Sequence, residues 1–379
     1  MFRLPQELAE LHSSLSTALT DHGFRPEQLV RHGRELSEGG GGAERNRLTF
    51  VRPPCDDDIV AAPTADTPRG EALARRGAEA IARGELAFCV MAGGMATRMG
   101  GVVKALVEAV PGHTFLDLRL AENARYQGAV PLWIMTSDAT DGGIRKALAD
   151  AGRGDVPTFR QDLGLRLTAD GNLFRGDDGQ PSTYATGHGD LVDALRRSGL
   201  LARFVAGGGR YLWLANLDNL GASVDAAILG AFVESGAGAL VEVCRKSPGD
   251  RGGIPVRVRG ADGAERVEIV EEFRLPTGFD TSTVDVFNTN TFLVDAVALL
   301  EEPFTWNWFE VQKKVDGRPA IQYERLLQEI SRRLDTKMIV VPREGAAARF
   351  LPVKDHAELA ARRDDLLTLA AARGMVLAA

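Results

Sequence analysis

Residues 86–104 read LAFCVMAGGMATRMGGVVK, an apolar run of strand type followed at once by a glycine-rich loop. Glycines let a backbone approach phosphate oxygens closely, and the amides of such a loop, helped by Arg98 and Lys104, can hold a triphosphate. The loop is neither a Walker loop, which needs GxxxxGK[ST], nor the dinucleotide fingerprint GxGxxG. Without further context it reads equally as a strand-to-helix turn carrying two solvated cations. Working outward, further strand-type runs at residues 132–135, 211–217 and 239–243 alternate with helical patterns. That alternation predicts an α/β sheet covered by helices.

The 379 residues are 44% apolar and 26% charged, which excludes wholesale disorder and leaves room for a large core. With 45 basic and 52 acidic residues the net charge is -7, so a basic nucleic-acid-binding face is not expected. No apolar run approaches the roughly 18 residues that span a bilayer, so no membrane partner is expected. Three scattered cysteines, Cys55, Cys89 and Cys244, suggest neither a disulfide framework nor a zinc site, and fit a reducing cytoplasm. Cys89 and Cys244 read as buried strand residues.

Three regions are expected. Residues 1–83 form a helical N-terminal region: one amphipathic helix opened by Pro5, with Leu8, Leu11, Leu15 and Leu19 on one face and Gly23 closing it, then a loose linker. That linker contains the tract Gly39 to Gly42 and a Pro-rich stretch at 53–68. A second helix follows, capped by Thr67, with Pro68 at its first position and Glu–Arg pairs four apart. Residues 84–354 form the catalytic domain, interrupted by β-hairpins at 165–174, turning at Asp170-Gly171, and at 255–273, turning near Asp262-Gly263. Residues 355–379 form a C-terminal helix that starts with a capping box at Asp355 and Glu358 and ends at Gly374.

Further motifs follow the glycine loop in order: Gln161 in TFRQD, GHGD at 187–190, NLDNLGA at 216–222, FNTNTF at 287–292, IQYE at 321–324 and RFLPVK at 349–354. Together they resemble the UDP-sugar pyrophosphorylases of the UTP:glucose-1-phosphate uridylyltransferase type, in which AGGxGTRxG is followed by a lysine. The resemblance covers roughly residues 86–358. It implies a Rossmann-like nucleotidyltransferase fold (GT-A-like), a mixed sheet with helices on both faces. It also implies a reaction of UTP with glucose 1-phosphate that yields UDP-glucose and pyrophosphate with Mg²⁺. The chain departs from the pattern at Ala96, where the family has glycine, and at Val102-Val103-Lys104, which replaces Gly-Pro-Lys with one residue fewer before the lysine. Ala185-Thr186 stands where Pro-Pro is usual.

Each motif also has a physical reading. The resemblance assigns nucleotide binding to Ala92, Gly93, Gly94, Thr97, Gln161, Gly187 and His188; Gln161 offers both a donor and an acceptor to a uracil edge. Asp190 reads either as part of that turn or as the N-cap of the helix after it. Asp218 follows an apolar strand, where ligands bind in open α/β sheets, and a hard carboxylate there suits Mg²⁺. Asn288 and Asn290 alternate along a strand and are expected on one face, where amides can bind sugar hydroxyls. The resemblance adds Asn216 to them. Glu271 and Glu272 face opposite ways, so only one is expected to reach the sugar. By itself Lys354 reads as a solvated lysine; the resemblance places it, with Arg98 and Lys104, at the reacting phosphates. GHGD favours a simple hexose over an N-acetylhexosamine, whose enzymes resemble GNGG there. Ala96 and the shortened loop motivate a rival reading, a catalytically idle nucleotide-sugar sensor.

Overall fold

The apolar runs become strands of one eight-stranded sheet in the computed structural model, which describes every residue except 41, 97, 98, 248, 251, 261, 262 and 377–379. In chain order the strands are β1 (Ile59–Ala61), β2 (Leu86–Met91), β3 (Leu132–Thr136), β4 (Thr158–Arg160), β5 (Tyr211–Asn216), β6 (Ala239–Arg245), β7 (Val286–Asp295) and β8 (Thr336–Val340). Their spatial order is β1-β8-β6-β7-β5-β2-β3-β4, and β7 alone among them runs antiparallel to its neighbours. All residues of β2 and β3 are buried, which is why they read as continuous apolar runs rather than alternating ones. The expected α/β mixed sheet with helices between its strands is therefore present, and Cys89 and Cys244 are buried, unpaired thiols.

The order of strands places the site. β2 leads toward β3 and β4 on one side, whereas β5 lies on the other side and leads toward β6, so the chain diverges between two adjacent parallel strands. Met91 pairs with Asn216 at the carboxyl end of that fork. Loops leaving such a point open a crevice.

Several elements differ from expectation. The N-terminal leucine stripe belongs to two helices, Leu4–Ala9 and Ser13–Asp21, because the His12 ring accepts the Ser14 amide and starts a new helix. A third helix, Pro26–Ser37, was not foreseen. Leu4, Leu19 and Leu29 from these helices pack with Leu163, Leu165 and Ile321 in a second apolar cluster. The expected linker supplies β1 and the short strand Val51–Arg52, which pairs with Ile254–Arg259. The helix Pro68–Ala82 is capped by Thr67 as expected. Both expected hairpins form: Phe174 bonds Arg166 across the first, and Ile254–Arg259 pairs with Glu265–Val270 in the second, whose turn residue Asp262 lies outside the described residues. A further hairpin joins Phe309–Val315 to Arg318–Glu324 through left-handed Asp316 and Gly317. The C-terminal helix is broken at Arg362 into His356–Ala361 and Arg363–Ala372. Asp355 caps it, but Glu358 reaches back to the amide of Lys354 instead of closing the box.

The helix Pro68–Ala82 crosses Ala226–Ser235 at backbone contact. A Cβ on Gly77 would lie 1.8 Å from the carbonyl oxygen of Ala226, and one on Gly230 would lie 1.9 Å from that of Leu73. Gly142, in the helix Asp138–Asp150, has nothing within 4 Å of such a Cβ. The same substitution therefore has opposite signs at the two places. Gly77→Ala is expected to cost about 1–3 kcal/mol by forcing the helices apart, and Gly142→Ala to add about 0.5–1 kcal/mol. Urea unfolding of both variants measures the two shifts, and equal shifts would refute the close-packing account.

Candidate active site

A cleft of about 550 Å³ opens at the fork between β2 and β5. The loop after β2 forms one wall. The Ala92 amide bonds the carbonyl of Met135, and the carbonyl of Gly93 accepts the Ser137 hydroxyl at 2.9 Å. A Cβ on Gly93 would lie 1.9 Å from Oε1 of Gln161 and would push that amide aside, whereas Gly94 faces open space. The loop then folds back as a small hairpin, Met95–Ala96 against Val102–Val103, rather than entering a helix directly. Thr97 and Arg98 lie outside the described residues. The shortened loop still delivers its lysine: Lys104 Nζ lies 2.5 Å from Oδ2 of Asp218.

Gln161, Gly187 and His188 form one corner. Gln161 is buried and donates its amide nitrogen to the Gly187 carbonyl at 2.8 Å. The His188 Nδ1 accepts the Leu327 amide at 3.0 Å, which puts the ring proton on Nε2, and burial lowers its pKa to about 4. The imidazole is thus neutral at pH 7. Gly187, at φ +101°, and Gly189 both approach the backbone at Arg325 and Leu326 too closely for any side chain.

That turn is held by a buried charge cluster. Arg325, fully buried, binds Asp162, Asp190 and Asp193 at 2.5–2.7 Å, while Arg197 and Arg25 reach Asp162 and Asp193 from its edge. Three guanidinium groups thus face three carboxylates. Asp190 is the first residue of its helix rather than the N-cap, which is Gly189, and its carboxylate accepts Thr186 and Arg325. Burial pushes the Asp190 carboxyl upward, and the Arg325 charge opposes that push.

Asn216, Asn288 and Asn290 line the opposite side. β7 is not regular here, because its pairing with β6 slips between Glu242 and Val243 and Asn290 is left-handed at φ +60°. The bulge replaces simple alternation, yet both asparagines still reach the cleft. Asn290 Nδ2 donates to Asn216 Oδ1 at 3.0 Å, and its Oδ1 is buried without a partner among the described residues. A buried acceptor of this kind awaits a donor such as a hydroxyl. Glu271 and Glu272 do not line the cleft. Glu272 is exposed, whereas Glu271, raised in pKa mainly by burial, accepts Gln328 and the amide of Gly253, whose carbonyl in turn holds the Asn288 amide.

The segment 349–354 closes the cleft and presents exposed Lys354. Its position follows from Asn219, whose amide donates to the Arg349 carbonyl and whose oxygen accepts the Leu351 amide. Arg349 itself is buried against Glu242 and the Trp213 ring. Sequence reasoning assigned no part to Asn219, Ser137, Glu324 or Arg325. Asn219 and Glu324 were within reach of it, since they sit inside the NLDN and IQYE motifs.

Among the described residues no group of three or more His, Cys, Asp or Glu side chains is placed to hold a metal. Asp218, just past the end of β5, lines the cleft as a single carboxylate whose Oδ2 is engaged by Lys104.

Residues 53–377 match the family described as UTP–glucose-1-phosphate uridylyltransferase. A Hordeum vulgare protein of that name is 29% identical over 355 residues, covering 87% of this chain and 71% of its own length. One from Saccharomyces cerevisiae is 31% identical over 310 residues, covering 75% and 60% respectively. Among solved structures, a variant of UDP-glucose pyrophosphorylase from Leishmania major superposes with a TM-score of 0.72 at 24% identity, over 95% of this chain and 77% of that one, a likeness of fold.

Removing the central guanidinium tests how far the site leans on it. Arg325→Met leaves the buried Asp190 without a cation, while Arg197 and Arg25 still reach Asp162 and Asp193, and is expected to cost about 3–5 kcal/mol at pH 7. Burial would then raise the Asp190 carboxyl without the opposing Arg325 charge, so stability is lost as pH increases and the deficit against wild type narrows as pH falls toward 5. Urea unfolding at pH 7 and pH 5 checks both statements; a deficit independent of pH would point to lost packing instead.

Proposed function

Because the chain belongs to the UTP–glucose-1-phosphate uridylyltransferase family, we propose that it is a nucleotidyltransferase that converts UTP and glucose 1-phosphate into UDP-glucose and pyrophosphate. The observation that carries the reading is the convergence of the glycine loop, Gln161, Lys104 and Lys354 on one cleft at the strand fork. The rival sensor reading, built on Ala96 and the shortened loop, keeps only Ala96 as its motive, because Lys104 reaches the cleft.

In the proposed mechanism the uracil lies in the corner of Gln161 and Gly187. With its nitrogen given to Gly187, Gln161 has its carbonyl oxygen left for the N–H of the base. The triphosphate runs along the amides of Gly93 and Gly94, beside Ala92, whose own amide is held by Met135. The hexose lies against Asn216, Asn288 and Asn290, where the unpartnered Asn290 oxygen takes a hydroxyl; Glu271 braces Asn288 from behind through Gly253. A phosphate oxygen of glucose 1-phosphate attacks the α-phosphorus in line, a P–O bond forms, and the bond to pyrophosphate breaks. No proton need move, so neutral His188 serves as a donor and not as an acid or base. The protein's task is to bring two anions together and to meet the charge that builds up. Lys354 and Lys104 supply fixed positive charge, and Arg98 is assigned the same part. Mg²⁺ bound at Asp218 would add Lewis-acid charge neutralisation on the phosphates. Among the described residues no helix is long and apolar enough to cross a membrane, and a cytoplasmic location is part of the proposal, which three unpaired thiols suit.

Two sets of measurements test these assignments. Gln161→Ala is expected to weaken UTP binding by about 1–3 kcal/mol, and unchanged affinity would move the uracil contact elsewhere. Lys354→Ala is expected to lower kcat by about 100-fold to 1000-fold in a coupled pyrophosphate-release assay, with a smaller rise in the KM for UTP. Asp218→Asn should shift the Mg²⁺ requirement upward, which Lys354→Ala should not. Variants that are folded and kinetically normal at both positions would end this mechanism.

A further inference from the structure

Gln161 sits in a short link between the edge strand β4 and the strand Leu163–Leu165, and three consecutive backbone amides tie that link to three different parts of the molecule. The Gln161 amide donates to the carbonyl of Thr136 at 2.8 Å, at the end of β3. The Asp162 amide donates to Oδ2 of Asp190 at 3.2 Å, in the buried charge cluster. The Leu163 amide donates to the carbonyl of His22 at 3.0 Å, in the turn between the helices Ser13–Asp21 and Pro26–Ser37. The first two anchors belong to the sheet and the cleft. The third comes from a region ahead of residues 53–377, which carry the family match.

The same turn, residues 22–25, touches both neighbours of Gln161 at their side chains. His22 Nε2 lies 3.2 Å from Nη1 of Arg160, and since a guanidinium only donates, the ring accepts. Burial first, then the charges of Arg160 and Arg197, lower the His22 pKa, so the ring is neutral at pH 7 and free to accept. Gly23 has a left-handed backbone at φ +70°, and a Cβ there would lie 2.5 Å from Nη1 of Arg197 and 2.6 Å from Oδ1 of Asp162. Arg197 and Asp162 are themselves an ion pair at 2.6 Å, so Gly23 lies flat against it. Arg25 closes the turn on Asp193 at 2.5 Å. Leu19 and Leu29, in the helices on either side, are buried in one cluster with Leu163 and Leu165, which presses the turn onto the link.

We infer that residues 22–25 are a positioning element of the cleft, through which the N-terminal region fixes the direction of Gln161 and with it the contact to the uracil edge. This role presupposes that Gln161 reads the base, as proposed for the cleft. Gln161 orients its amide on the carbonyl of Gly187, and that bond holds only while the link and the GHGD turn keep their spacing. His22 and Gly23 set the link, and Arg25 reaches the helix after the GHGD turn through Asp193, so one four-residue segment braces both ends of the bond. His22, Gly23 and Arg25 do not line the cleft, so they act through Gln161 and not on the substrate.

A double-mutant cycle on UTP affinity, measured by titration calorimetry of the full chain, separates positioning from mere support of the fold. Gly23→Ala puts a Cβ against the Asp162–Arg197 pair and is expected to weaken UTP binding about fivefold or more. Combined with Gln161→Ala it is expected to add less than about twofold, because the group it positions is already gone. Arg25→Met leaves the backbone of the turn alone and serves if Gly23→Ala does not fold; its expected loss is about threefold, and it too vanishes beside Gln161→Ala. A lower melting temperature with UTP affinity unchanged in both variants, or losses that multiply with that of Gln161→Ala, overturns the positioning role and leaves the turn as scaffold only. A wild-type chain that binds no UTP overturns the reading of the cleft and this role together, whereas UTP binding that Gln161→Ala weakens and the two turn variants do not removes the role alone.

Discussion

The guanidinium of Arg325, held among three aspartates, is the interaction on which the corner of Gln161, Gly187 and His188 depends. It ties together strand-end loops far apart in sequence: Asp162 beside Gln161, Asp190 and Asp193 after the GHGD turn, and the IQYE strand that carries Arg325 itself. Buried charges are costly unless each is paired, and here three cations balance three anions. The return is geometric. Gly187 and Gly189 can lie flat on the backbone at Arg325 only while that backbone is fixed, and Gln161 is oriented by the carbonyl of Gly187.

A comparable division of labour runs through the rest of the cleft. Several residues facing the cleft are set by a polar group behind them. Asn219 pins the segment that ends in Lys354, Ser137 pins the glycine loop, and the Glu271–Gly253 contact supports Asn288. Placing ligand groups on loops but anchoring them to a sheet lets small polar residues act with defined geometry.

Much of this was legible in the sequence. Continuous apolar runs marked the buried parallel strands because both of their faces are covered, and glycine, Gln161, Asp218 and Lys354 were read from motifs at strand ends. What escaped did so for physical reasons. Leu8, Leu11, Leu15 and Leu19 keep a helical period across a break made by the His12 cap, so periodicity alone saw one helix. β1 has three residues, too few to show any period. Asn290 adopts a left-handed backbone that asparagine tolerates better than most residues, and a bulge leaves no trace in an alternating pattern. Arg325 looked like any surface arginine, because its partners lie 132 to 163 residues away.

The pairing of β1 with β8 has a consequence for how the chain is made. Ile59 lies beside Met338, roughly 280 residues later, so on a ribosome the first strand of the sheet waits for the last. At usual elongation rates that wait is on the order of tens of seconds. During it the half-sheet β4-β3-β2-β5 can assemble from local crossovers, and with it the glycine loop and Asp218. The strand β7, inserted antiparallel between β5 and β6, arrives later and brings Asn288 and Asn290 to the cleft. The nascent chain therefore builds the glycine-loop half of its crevice first, and the last strand to be translated, β8, slots between β6 and the early edge strand β1.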